Sequence, residues 1–123
     1  MVSPILQNDH YICVKVDWIC GRGVDAYCVK KDEKDSLLVE VKEKGDQSKI
    51  RRAVDQIIAT YKTIKEGKPK RAIIVVREEM PIRTQIDKYK QGLDVSLKIK
   101  VDILKDDNPN LNELRDLIDD ISK

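Results

Sequence analysis

The chain has 123 residues, 24 of them Lys or Arg and 22 Asp or Glu, with a formal net charge of +2 at pH 7. With 41% hydrophobic residues it is neither a disordered chain nor a collagen-like repeat, and its length supports one core. No apolar run approaches the ~20 residues that cross a bilayer, and the near-neutral balance does not by itself announce a nucleic-acid binder.

The first ten residues contain no basic start followed by an apolar stretch, so they are not read as a secretory signal but as a loose N-terminal segment. A cytoplasmic protein is expected, with residues 1–123 as a single domain. Residues 11–19 place Ile12, Val14, Val16 and Trp18 on one face of a strand, with Trp18 in the core. Cys20-Gly21-Arg22-Gly23 forms a turn. Residues 24–30 give a second strand, residues 31–36 a polar hairpin turn, and residues 37–43 a third strand. That third strand is apolar on both faces at its start, which predicts a central position. Gly45 breaks the pattern, and from Gln47 to about Lys65 the period is helical. Ile50, Ala53, Val54, Ile57, Ile58, Tyr61 and Ile64 form the stripe, and Gly67 and Pro69 end it. Residues 71–76 read as a short buried strand, 82–90 as a second helix after Pro81, and 95–104 as an alternating strand. Asn110 and Glu113 have capping-box spacing ahead of Leu111, Leu114, Leu117, Ile118 and Ile121. The order βββαβαβα predicts one α/β domain with a mixed central sheet flanked by helices.

Several chemistries are excluded or demoted. Cys13, Cys20 and Cys28 form no C-x-x-C pair, and an odd number in a cytoplasmic chain predicts apolar fillers rather than a disulfide framework. One histidine, His10, cannot complete a structural zinc site and reads as a surface residue. There is no phosphate-binding glycine loop; Gly21-Arg22-Gly23 lacks the third glycine and the helix that should follow. The absence of Phe with plentiful Lys, Glu and Ile suggests a heat-adapted source.

The informative residues are acidic. Glu40 and Lys42 are two apart on a strand, so they share a face, and burying them requires pairing. Asp25 follows the glycine turn on the preceding strand, with fourteen residues between it and Glu40. In an antiparallel hairpin the two carboxylates can lie side by side, a hard-oxygen site for Mg²⁺ or Mn²⁺. A lysine beside them can position water or offset phosphate charge, which suits metal-assisted phosphodiester hydrolysis.

Gly23-Val24-Asp25-Ala26, then Glu40-Val41-Lys42, resembles the PD-(D/E)XK nuclease motif. The amphipathic helix and the 71–76 strand fit the same restriction-endonuclease-like core, so the resemblance covers roughly residues 20–77. The family includes Holliday-junction resolvases, RecB-like exonucleases and archaeal mismatch or branch endonucleases. It implies that Asp25 and Glu40 bind the metal, that the Val41 carbonyl is a further ligand, and that Lys42 contacts water and phosphate. Gln56 matches the helix glutamine of many relatives, although Tyr61 follows five residues later rather than four and reads as core. Lys49, Arg52 and Thr60 share the Gln56 flank. Many relatives draw a further glutamate from a helix before the first strand. Residues 1–10 contain none, leaving Asp9 or Asp17 as substitutes.

The expectation is therefore a metal-dependent, structure-selective DNA nuclease, with Lys44, Lys49, Arg51 and Arg52 holding the phosphate backbone. A homodimer is expected, since compact resolvases that act on two-stranded targets work as dimers. The alternatives are a DNA-binding module that has lost catalysis, or a subunit whose protein partner in a larger complex supplies the missing parts.

Overall fold

A computed structural model describes residues 5–16, 23–32 and 35–121. Six strands form one mixed sheet in sequence order: β1 (Ile5–Gln7), β2 (Tyr11–Lys15), β3 (Ala26–Lys30), β4 (Ser36–Lys42), β5 (Arg71–Val76) and β6 (Lys100–Lys105). The first four are antiparallel neighbours, and β4, β5 and β6 run parallel. Helix α1 (Gln47–Thr63) connects β4 to β5, and α2 (Arg83–Leu97) connects β5 to β6. A 3₁₀ turn (Pro109–Leu111) then leads to α3 (Arg115–Ile121).

The two crossovers step the same way across the sheet, and crossovers of one hand then put both helices on one face. There Ile50, Ala53, Val54 and Ile57 of α1 and Leu93 of α2 bury against Leu38, Ile74 and Val76. On the opposite face Leu111, Leu114, Leu117, Ile118 and Ile121 cover Cys13, Cys28, Leu37, Val39, Ile73 and Val75. The period of two along β4 thus divides its residues between two cores. Each large aliphatic side chain buried this way contributes roughly 1.5–3 kcal/mol.

Local chemistry sets the ends of α1. The Asp46 carboxylate accepts from the Lys49 backbone N–H at 2.9 Å and from the Ser48 hydroxyl at 2.8 Å. These bonds, the Lys49 N–H foremost, hold Asp46 below the usual carboxylate range. Just before it, a Cβ on Gly45 would collide with the Glu79 carbonyl oxygen and the Pro81 ring, so only glycine lets the two segments meet.

Several sequence expectations are corrected. The N-terminal segment is not loose where described: β1 is an edge strand, and the Asn8 amide beyond it donates to the Glu113 carbonyl. In β2 it is Tyr11 and Cys13 that point into the core, while Ile12 and Val14 are 39% and 38% exposed. Of the aliphatic face only Val16 reaches the cluster that packs with α1, so Ile12 and Val14 stay partly outside. Asp17, Trp18 and the turn from Cys20 to Arg22 lie outside the described residues. The alternation over 95–104 does not make one strand. Ile86, Tyr89, Leu93 and Leu97 continue the α2 stripe, and the strand begins only at Lys100. The Asn110–Glu113 capping box does not form. Asn108 caps instead, its side chain accepting from Asn110 N with Pro109 at the first position. Finally, Cys13 and Cys28 are joined by a disulfide. They are buried as expected of fillers, but the β2–β3 register sets them directly opposite each other.

Candidate active site

Asp25, Glu40, Lys42 and Gln56 converge on the α1 side of the sheet. The β3–β4 ladder ends at Ala26 opposite Val39, and one further step sets Asp25 opposite Glu40. The alternation of β4 directs Glu40 and Lys42 to the same side as Leu38 and α1. Asp25 Oδ2 accepts from the Val41 backbone N–H at 2.7 Å, which fixes this carboxylate against the motif strand.

Glu40 is 2% exposed. Among the described residues its Oε2 has no hydrogen-bond partner, and the Lys42 ammonium stands 3.8 Å from it, beyond hydrogen-bond reach. Burial, then the hydrogen bond and charge of Asp25, push the Glu40 carboxyl up to about 9. Lys42 and a backbone bond at Val41 act in the opposite direction and are outweighed. An acid this short of partners is costly to folding. A bound cation, or a proton on the carboxyl, offsets that cost.

The backbone adds an oxygen to this gap. The Lys42 carbonyl accepts from Arg77 N–H on the β5 side, so the N–H and C=O of Val41 both face the β3 side. Continued pairing would offer Val24 N–H to Val41. That N–H instead donates to Thr60 Oγ1 at 3.0 Å, and the Val41 carbonyl is left facing the space beside the two carboxylates.

Helix α1 builds the approach to Asp25. Gln56 Nε2 donates to the Gly23 carbonyl at 3.1 Å, while its buried Oε1 has no hydrogen-bond partner among the described residues. The Thr60 hydroxyl donates to the Gln56 carbonyl at 2.8 Å and accepts from Val24. Two neighbouring turns of one helix therefore hold Gly23 and Val24, the residues that aim Asp25. Sequence reasoning placed Thr60 on the Gln56 flank without giving it a role. Its position three residues after Ile57 on the apolar stripe was the signal for a buried hydroxyl with a structural partner.

Lys44, Lys49, Arg51 and Arg52 are all exposed on the connection into α1 and its first turns. No acidic residue sits in that first turn, where the helix dipole would favour one. Asp9 does not join the site: it lies in the β1–β2 turn, beside His10 and Lys31, at the end of β2 away from Asp25. Among the described residues no group of three or more His, Cys, Asp or Glu side chains gathers for a metal, and the donors here are two carboxylates and a carbonyl. A cavity of about 250 Å³ between Val75, Asp106, Leu111, Arg115 and Ile118 is on the α3 face and shares no residue with them.

No family model, no curated protein and no solved structure matches the chain. Among the described residues, no helix is long and apolar enough to cross a membrane.

Proposed function

We propose that this protein is a metal-dependent DNA nuclease of the PD-(D/E)XK class, its restriction-endonuclease-like core of order βββαβαβα preceded by β1. The observation that carries this reading is Glu40, buried with an unpartnered oxygen beside Asp25, with Lys42 3.8 Å away. A buried carboxyl with one oxygen left unpartnered is hard to explain as architecture, because an apolar residue of similar size would stabilise the sheet more.

The donor set fits a hard divalent cation: Asp25, Glu40 and the Val41 carbonyl are all oxygen ligands, as Mg²⁺ or Mn²⁺ prefers. Such an ion, when bound, polarises the phosphoryl oxygen and lowers the pKa of a coordinated water. The chain supplies the rest. Lys42 offsets charge developing on the phosphate and orients the attacking water. Gln56 keeps the Gly23 turn, and through it Asp25, in register. Lys44, Lys49, Arg51 and Arg52 hold the backbone through charge, without base reading, so DNA shape rather than sequence selects the target. We further propose a homodimer, and the cytoplasm of a heat-adapted organism, a setting in which an intracellular disulfide is not anomalous.

A second reading is a catalytically silent DNA-binding module of the same fold, working within a larger complex. It is favoured by the position of Asp9, too far along β2 to complete an acidic cluster. Labelled single-stranded, duplex, flap and four-way-junction DNA, incubated with Mg²⁺, Mn²⁺ or EDTA, separates the two. Metal-dependent cutting that Glu40→Gln lacks supports the enzyme. DNA binding without cutting on any substrate moves the assignment to the module.

A further inference from the structure

The parallel strands have two ends. Glu40 and Lys42 mark one. At the other, the starts of β5 and β6 meet the C-terminal ends of α1 and α2 around a cavity of about 510 Å³. Its lining carries five cations, Lys68, Lys70, Arg71, Lys98 and Lys100, against two acids, Asp35 and Asp94. The Lys68 ammonium is spoken for: it donates to the Tyr61 carbonyl at 2.8 Å and lies 4.2 Å from the centre of that ring. Lys70, Lys98 and Lys100 are exposed, and among the described residues their side chains enter no hydrogen bond or ion pair. Five cations against two acids leave an excess of positive charge that repels itself, and a bound polyanion relieves that repulsion.

A second, independent sign is the backbone of Lys98. It caps α2 at φ 57°, the only described non-glycine residue with positive φ. Glycine is the usual residue there, since a Cβ is disfavoured in the left-handed region. A lysine kept at this position places a cation at the mouth of the cavity at some cost to the helix end.

The two ends are joined. Helix α1 runs back along the sheet between them, and its exposed charged residues are Lys49, Arg51, Arg52 and Lys62 against Asp55. In the β4–β5 register Lys42 pairs with Val76 and Leu37 with Arg71. Five strand steps separate the levels, about 17 Å, or roughly five base-pair rises.

We infer that Lys70, Lys98 and Lys100 form a second contact for a nucleic-acid backbone, reached along α1 from the carboxylate site. This rests on the nuclease reading and deepens it: the substrate class is a target with a duplex arm long enough to span both ends. Contacts here position without reading bases.

The test uses Glu40→Gln protein, which leaves DNA intact, with hairpin-capped stems of about 3 and about 20 base pairs, short and long against the span. Anisotropy titrations at several salt concentrations compare it with added Lys98→Gly and with added Lys70→Glu and Lys100→Glu. Expected are roughly tenfold weaker binding of the long stem, a salt slope shallower by about two for the double charge reversal, and no change for the short stem. Lys98→Gly should lose affinity without a lower melting temperature, because glycine suits that backbone. Unchanged long-stem affinity in every variant overturns the second contact, while metal-dependent cutting by the unmodified protein leaves the nuclease reading standing. A changed sedimentation coefficient of the protein alone, with DNA binding unchanged, makes the end a protein contact and also overturns it. Loss of both binding and cutting by the unmodified protein removes both readings.

Discussion

The two faces of β4 carry different kinds of residue. Toward α3 the strand presents Leu37 and Val39, part of an apolar core closed by the Cys13–Cys28 disulfide and bordered by the buried Nε of Arg115. Toward α1 the same strand buries Leu38 after the half-buried Ser36 and then places Glu40 and Lys42 where another aliphatic pair would pack better. Both faces are covered by helices, so burial does not explain the contrast. It lies in position: the polar pair sits where β3 leaves the ladder and the sheet can admit a ligand. One face serves the fold alone. The other gives up stability at one end for a site.

The sharpest break in this comparison comes from Glu40→Gln. Cleavage should fall by at least ~10³-fold in a metal-dependent assay, with DNA binding kept. Stability should respond in the other direction. The folded Glu40 carboxyl titrates at about 9 against an ordinary 4.5, so across that window the folded chain holds a proton that the unfolded chain has released. Stability without metal therefore falls as pH rises from about 4.5 to about 9, by several kcal/mol in all. The glutamine variant should flatten this trend in thermal melts recorded in EDTA. A wild-type melting temperature indifferent to pH would show that Glu40 is not held protonated.

The α3 face should behave as pure scaffold. Ile118→Ala should cost about 2–5 kcal/mol in urea unfolding, and replacing both Cys13 and Cys28 by serine about 3 kcal/mol. Neither should change the cleavage rate well below the melting temperature. A rate loss out of proportion to unfolding would mean that the two faces are coupled. A smaller effect with a mixed signature is expected for Thr60→Val, which strips Val24 N–H of its buried acceptor. About 1–3 kcal/mol of stability should be lost, together with a partial loss of cleavage as Asp25 loosens. Unchanged kinetics would remove Thr60 from the support of the site.

How much of this was legible in the sequence depends on the range of the interaction. The α1 stripe and the third strand were readable because periodicity is local, Gly45 showed as a break in the pattern, and the Glu40–Lys42 pair declared itself by spacing, whereas the Asp46 cap of α1 was not read. The same locality misled at β2. Alternation finds two faces but does not say which is inside, and the structure turned Tyr11 and Cys13 inward because α3 lies over them. It misled again at 95–104, where alternating Val95 and Leu97 belong to a helix held by Leu93 and stopped by the left-handed Lys98. The disulfide was unreadable from cysteine counting, since pairing is decided by cross-strand register. In the candidate site the carboxylates and the lysine were named in advance. The Thr60 bridge and the use of Gln56 to hold Gly23 depended on how α1 docks, which no local pattern encodes.

The Cys13–Cys28 bond also changes the covalent topology of the chain. It closes residues 14–27 into a ring that contains the whole approach to Asp25. A protease that cuts once inside this ring opens the loop without separating the fragments. The nicked protein keeps its mass apart from one added water, and its two pieces part on a gel only when a thiol is added.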